Sequence, residues 1–317
     1  MSYAQYGTIE ATDFNNLVGA AAGATANVLN TVWATGSAGA GYGQTAEANV
    51  ASGDTVTAAK WAGLVNKTAN AATHQGSSIT AVTAPVSGGT ITYLSAIPTN
   101  LQTIYTNRRN AATQSSTTSN AVSSASTWSD KATFTHTATF ANGDAARYFF
   151  NSGGQLAITV SHANTTAGIN LLLNQLCTNV GTVVMSSVTS GTASIAGTSY
   201  SGVTKIGGGG NAPTIAANSG YYAWSTANAN VFYQTASTGP AGYLSTNINI
   251  FVKTNGTVGT NGDVGNVVTI YTVWDEIPNG LTVGTGATTT LTVRPPEVTN
   301  LANSWGTITL AGSVTQA

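Results

Sequence analysis

Charge is what this sequence has least of. Asp, Glu, Lys and Arg make up 6% of its 317 residues, against roughly 25% in an ordinary globular chain. Nine basic residues stand against ten acidic ones, for a net charge of −1. There is no basic excess to track a phosphate backbone, so no nucleic-acid partner is expected. Cysteine is almost absent too. Cys177 is alone, which rules out a disulfide within the chain, and in its Leu-rich surroundings it reads as a small apolar filler with an inert thiol. No run of about 18 apolar residues occurs, so no membrane-inserted helix is expected. The first residues, MSYAQYGTIEATDF, carry neither a charged n-region nor an apolar h-region, so no signal peptide is expected.

Gly, Ala, Ser, Thr and Asn occupy the places that charge usually fills. A surface of this kind suits contact with other copies or other proteins better than free solution. Disorder is the competing reading of such a composition, and the 6 Trp, 12 Tyr and 7 Phe argue against it. The length is enough for two domains and a sizeable core.

Residues 1–112 read as a helical region with a degenerate repeat. Ile9–Val18 (IEATDFNNLV) matches Val56–Val65 (VTAAKWAGLV) place by place. A β-branched residue leads, Ala is third, an aromatic is sixth, and Leu-Val closes each copy. The aromatic and the Leu are three apart and share a helix face. Helices are predicted near 12–32 and 57–73, with Thr12 and Thr57 as N-caps. A looser third copy, from Ile91 through Leu101, Ile104 and Tyr105, predicts a helix near 92–110 with Pro98 as a break or kink. Trp33–Gln44 is Gly-rich, but no strand precedes it and no phosphate-binding spacing is present, so it reads as a connecting loop. Thr73-His74-Gln75-Gly76 reads as a helix end with Gly at C′. Residues 113–127, within the Ser/Thr-rich run AATQSSTTSNAVSSAST, read as a linker or neck between domains.

Residues 128–317 read as an antiparallel β-sandwich or jelly-roll-like domain, which makes the fold class α+β. The clearest piece is Thr133–His162. Phe134, His136, Ala138 and Phe140 alternate, as do Leu156, Ile158 and Val160. Asn142-Gly143 reads as a hairpin turn and Arg147–Phe150 as a short strand, which makes a three-stranded meander. Ile169–Cys177 is the one expected helical interruption. Further strands are expected from Val183, over Val231–Thr235, Asn247–Lys253 and Asn266–Asp275, and at Leu291–Arg294, where Pro295-Pro296 ends pairing and closes the sheet.

Chemistry is sparse. A sugar-cleaving site needs two converging carboxylates, and the adjacent Asp275 and Glu276 would point to opposite strand faces. His136 and His162 flank the meander and read as partly exposed strand residues rather than metal ligands. Thr260-Asn261-Gly262-Asp263 reads as an Asx turn in preference to a calcium loop. No catalytic residue, metal ligand or cofactor-binding residue is assigned. Two groups are singled out. Arg147 and Asp144 are candidates for a salt bridge that fixes the hairpin or a subunit contact, since a buried Arg without a partner is very costly. Tyr221, Tyr222 and Trp224 are candidates for an aromatic glycan platform.

The helical repeats, the Gly41–Gln44 stretch GYGQ, the run ARYFFNSGGQ, and the pairing of NINIFVKTNG with NGDVGNVVTIYTVW resemble virion structural proteins of tailed bacteriophages. Such proteins sit in tails, necks, baseplates or fibres. The resemblance spans most of the chain, and its motifs are family markers without catalytic signatures. It implies synthesis in the host cytoplasm, a place in the virion, assembly as a homo-oligomer, with a trimer the expected form, contact with neighbouring virion proteins, and no cofactor. A receptor- or glycan-binding fibre module touching host surface glycan is the alternative, and a polysaccharide depolymerase stands third.

Overall fold

The computed structural model describes residues 10–20, 26–36, 39–89, 95–165, 168–187, 191–237, 243–275 and 281–317. Among these residues the chain is mixed α+β, with six α-helices and antiparallel sheets.

The first part is helical. It contains α1 (Ala11–Val18), α2 (Leu29–Val32), α3 (Ala58–Gln75) and α4 (Ala96–Thr106). Thr57 caps α3 by accepting from Lys60 N, and Gly76 ends it in the left-handed region at φ 67°. The expected helix near 12–32 is not continuous. It stops at Val18, because Gly19 turns the chain at φ 76°, and α2 is a separate single turn. Its cap is Glu10, whose amide donates to Asp13 Oδ2 at 3.0 Å, while Thr12 lies inside the helix. Pro98 falls in the first turn of α4, where the missing N–H has no intrahelical partner to lose. The start of the third copy at Ile91–Leu94 lies outside the described residues. The two matching copies meet through their aromatics: Phe14 and Trp61 have ring centroids 5.9 Å apart. Around them Leu17, Leu29, Val32, Leu64, Leu101 and Ile104 form a buried core, which Leu301 from the far end of the chain joins.

The second part begins earlier than expected. The supposed linker contains strand β1 (Thr118–Ser123), which pairs over its whole length with a later strand. One face carries Ser119, Ala121 and Ser123 and the other Thr118, Asn120 and Val122, so the segment resembles a linker in composition while forming ladder bonds. Then come β2 (Lys131–Thr139), α5 (Gly143–Asn151), β3 (Gln155–His162), α6 (Ile169–Val180), β4 (Thr182–Met185), β5 (Ala193–Ile195), β6 (Thr198–Tyr200), β7 (Val203–Ile206), β8 (Thr214–Ile215), β9 (Ala229–Thr235), β10 (Asn247–Thr254), β11 (Val267–Asp275), β12 (Ala287–Arg294) and β13 (Thr309–Gln316). One sheet runs β1-β12-β3-β4-β7 and the other β13-β2-β11-β10-β9-β8, with β5-β6 a small separate ladder.

The expected meander is therefore wrong. Arg147–Phe150 belongs to helix α5, and β2 and β3 lie in different sheets. Asn142 is an N-cap and not a hairpin residue: its Oδ1 accepts from Ala145 N at 2.8 Å. With Asp144 in the first turn and two Ala residues following, the local chemistry favours a helix start. α6 matches the expected helix and ends at Gly181. β12 does not close its sheet. It lies between β1 and β3, in register with Thr290 opposite both Ala121 and Thr159.

Alternation puts one face of each strand inward. Phe134 and Ala138 on β2, Ile248, Ile250 and Val252 on β10, and Ile270 and Trp274 on β11 meet Leu156 and Ile158 on β3 and Leu291 on β12 in one core, together with Phe149 and Phe150 of α5 and Leu173 and Leu176 of α6. His136 and His162 are buried as well, at 0% and 2% exposure, so neither is the partly exposed residue expected. His136 crosses between the sheets: from β2 its Nε2 lies 2.7 Å from Thr289 Oγ1 on β12, and its Nδ1 lies 3.2 Å from Asn120 Oδ1 on β1. Outward faces carry hydroxyls that pair across strands, as Ser119 does with Thr292 and Ser123 with Thr288.

Candidate functional site: the junction around Arg147

Helix α5 presents Arg147 and Asn151, four residues apart and so on one face, to the Gly-rich loop. Both are buried, Arg147 completely. Arg147 Nη1 donates to Thr35 O at 2.8 Å, and Nη2 donates to Asp144 Oδ1 at 2.9 Å and to Asn261 Oδ1 at 3.3 Å. The Arg147–Asp144 pair spans one helical turn, not a hairpin. The guanidinium also lies over the Tyr148 ring, 4.7 Å from its centroid. Asn151 Nδ2 donates to Gly39 O and Gly41 O. The Tyr222 hydroxyl is within hydrogen-bond distance of both Gly39 O and Asn151 Oδ1, and its single proton serves one of them.

The loop reaches these partners because it is Gly-rich. Gly39 has φ 80°, and a Cβ there would lie 1.9 Å from Gly259 O; at Gly43, with φ 72°, a Cβ would lie 2.3 Å from Tyr148 Cδ2. The loop expected only to connect two helices is thus a docking element whose carbonyls are the ligands. Its far end is tied as well. Gln44 Nε2 donates to Ala302 O at 2.8 Å, and Ala302 N returns a bond to Gln44 Oε1 at 2.8 Å.

The turn before β11 also borders the junction. Gly262 N donates to Asp144 Oδ1 at 3.1 Å, and Asp263 accepts from Thr260 N and Thr257 Oγ1. Burial pushes the Asp263 carboxyl up, but the Thr260 and Thr257 donors outweigh it and hold it below its ordinary value. Both its oxygens serve the turn itself. No group of three or more metal-ligating side chains occurs among the described residues.

Tyr221, Tyr222 and Trp224 do not form an exposed platform. Tyr221 is fully buried and stacks on Phe150 at 4.4 Å. Trp224 is 4% exposed, and its indole N–H donates to Ser219 O. Only Tyr222 is half-buried, and Arg109 covers its ring at 4.6 Å. Burial raises the pKa of Tyr222 and lowers that of Arg109. Tyr222 thus joins Arg147 and Asp144 in one cluster, while Tyr221 and Trp224 support it from the core side.

Asp275 stands opposite Lys131 in the ladder, and Glu276 lies outside the described residues. Cys177 is buried in α6, where desolvation pushes its thiol well up. A second polar tie escaped the sequence reading altogether: His74, in the last turn of α3, is held by Glu297 and Ser152 O. Its only signal was a lone His at a helix end.

No protein-family model matches this chain, and no curated protein or solved structure is significantly similar to it.

Proposed function

We propose that this chain is a structural subunit of a tailed-bacteriophage virion, in the tail, neck, baseplate or fibre, that assembles as a homo-oligomer and carries out no catalysis. The observation that supports this reading is how the charged and aromatic residues are used. Arg147, Asp144, Asn151 and Tyr222 are spent on bonds that join the Gly-rich loop to the β region. Such an arrangement holds parts together, and outward hydroxyls such as Ser119, Ser123, Thr288 and Thr292 pack across an interface without desolvating charge.

In this reading, residues 1–112 are the assembly or attachment region and the β part is a jelly-roll-like sandwich. Residues 113–127 do not act as a free neck, since β1 is paired with β12, so the trimer rests on the family resemblance alone. The glycan-binding alternative loses the platform that motivated it, because Tyr221 and Trp224 are buried.

Light scattering on the purified chain at two concentrations tests the assembly. A mass that is a multiple of 31.9 kDa is expected, and location of the chain in a map of the intact particle assigns its place. A single-chain mass at both concentrations and no oligomer in the particle overturns the proposal.

A further inference from the structure

Asn261-Gly262 is one of four Asn-Gly steps in the chain, with Asn142-Gly143, Asn255-Gly256 and Asn279-Gly280. An Asn-Gly step can react with itself: the backbone nitrogen of the Gly attacks the side-chain amide carbon of the Asn. Two things limit that reaction, removal of the proton from a weakly acidic amide and stabilisation of the oxyanion that develops on Oδ1. At Asn261 both needs have a group in place. Asp144 Oδ1 accepts the Gly262 N–H at 3.1 Å, and Arg147 Nη2 donates to Asn261 Oδ1 at 3.3 Å. Asp144 and Arg147 are themselves held together at 2.9 Å, so base and oxyanion donor have a fixed relation to each other.

We propose that Asn261 is a self-modification site, converted to aspartate or isoaspartate through a succinimide, with Asp144 as the base and Arg147 as the oxyanion donor. Asp144 takes the proton from Gly262 N as the bond from that nitrogen to Asn261 Cγ forms. The electron pair of the Cγ=O bond moves onto Oδ1, where Arg147 holds it. On collapse the Cγ–Nδ2 bond breaks, and Nδ2 leaves as ammonia with the proton that Asp144 had taken. Water then opens the succinimide at either carbonyl. Nothing is oxidised or reduced, and water is the only co-reactant. Asn261 and Gly262 are exposed, so water reaches them, and a side chain at Gly262 would meet nothing within 4 Å, so the backbone has room to turn.

The other described Asn-Gly steps are built differently. Asn142 Oδ1 is the N-cap of α5, and Gly143 is locked in the helix. Asn255 Oδ1 accepts from Asn266 N and Val267 N, so its amide is also polarised, yet among the described residues no carboxylate accepts from the Gly256 amide. Asn255 is therefore an internal reference that lacks the base, at a buried Gly256 where a Cβ would lie 2.7 Å from Val264 Cγ2. The aspartate product places a second carboxylate beside the buried Arg147, in place of a neutral amide, and turns that contact into an ion pair. The inference is independent of the virion reading.

Timed incubation of the purified full chain, followed by peptide mapping that separates Asn, Asp and isoAsp, tests it, with the same chain held unfolded in urea as the control. In the folded protein Asn261 should convert at least about a hundredfold faster than Asn255, the low end of what a positioned base supplies, and faster than Asn261 does in urea. Asp144→Asn, with folding checked by circular dichroism, should bring Asn261 down to the Asn255 rate. A folded Asp144→Asn protein with an unchanged Asn261 rate overturns the proposal. So does a wild-type Asn261 that reacts no faster folded than unfolded, a comparison that decides the matter even where the variant fails to fold.

Discussion

His74 Nδ1 lies 3.0 Å from Glu297 Oε1, across 223 positions of sequence. The pair joins the end of α3 to the segment after β12. Glu297 also accepts from Asn300 N, Asn300 Nδ2 and Thr299 N, and His74 Nε2 faces Ser152 O at 3.1 Å. Both ring nitrogens therefore face acceptors. His74 is fully buried and the Tyr42 ring edge packs on it at 5.3 Å, so water screens the pair poorly.

Acid should loosen this tie. The His74 hydrogen bond is the largest cause holding the Glu297 carboxyl down, from 4.5 to about 2. A depressed folded pKa contributes stability that is complete above the unfolded value and lost as pH falls through the folded one. The loss attributable to Glu297 therefore lies between pH 4.5 and about 2. Glu297→Gln should cost about 2 kcal/mol, because a neutral amide accepts from Thr299 N and Asn300 N more weakly than the carboxylate does, and should remove that part of the acid slope. Urea melts of both proteins across the window check this; equal slopes would contradict it.

Arg147 should not be replaceable by Lys. Its planar guanidinium serves Thr35 O, Asp144 and Asn261 at once, which a single ammonium on a flexible stem does not reproduce. Arg147→Lys should destabilise the protein by about 2 kcal/mol, and Arg147→Met by about 3 or more, since Thr35 O, Asp144 and Asn261 then all lose their donor. Hydrogen exchange should show the loss first in the loop at 39–44, whose carbonyls and amides depend on this junction.

Much of the fold could be read from residue order, and the reasons for the rest are local. α3 was legible because Thr57, the Trp61–Leu64 spacing and Gly76 all agree on one helix. β10 and β11 were legible because Ile248, Ile250 and Val252 alternate cleanly. α5 was not, since Asn142-Gly143-Asp144 serves as a hairpin or as a helix cap, and Phe149-Phe150 suits either. β1 and β13 were missed because small and polar residues stand on both of their faces, which gives little hydrophobic contrast. At the junction, the three-residue spacing of Asp144 and Arg147 hinted at a pair, but Thr35, Gly39 and Gly41 contribute backbone carbonyls, which no residue type announces.

Two glycines separate strain from crowding. Gly39 and Gly53 both have positive φ, at 80° and 89°. A Cβ on Gly39 would strike Gly259 O at 1.9 Å, whereas one on Gly53 would meet nothing within 4 Å. Gly53→Ala should therefore cost only the backbone penalty, about 1 kcal/mol. Gly39→Ala should cost more, about 3 kcal/mol, because the loop must retreat from the turn and stretch the Asn151 and Tyr222 bonds. Thermal melts of the two variants rank them, and equal melting points would show that the loop can yield without loss.

His136 joins Thr289 and Asn120 in a polar node between the two sheets. Burial pushes the His136 pKa down from 6.5 to about 4, against the opposing effect of Thr289. The ring is therefore neutral in the folded state between pH 6.5 and about 4, where the unfolded chain has protonated it. Between pH 6.5 and about 4 the unfolded state binds more protons at this residue, so stability falls as pH falls through that window. Burial lowers His162 too, which acts in the same direction, so the two contributions must be separated by substitution. His136→Gln keeps a donor and an acceptor for Thr289 and Asn120 and cannot titrate. It fits because Gly312 leaves the space: a Cβ there would lie 2.6 Å from Asn120 Oδ1 and 3.0 Å from His136 Nδ1. The variant should lose up to about 3 kcal/mol of the pH dependence between neutrality and the lower end of the window, while Glu297 continues to act below it. Urea melts at several pH values check this, and an unchanged slope in the variant would show that another group, His162 first, carries the acid sensitivity.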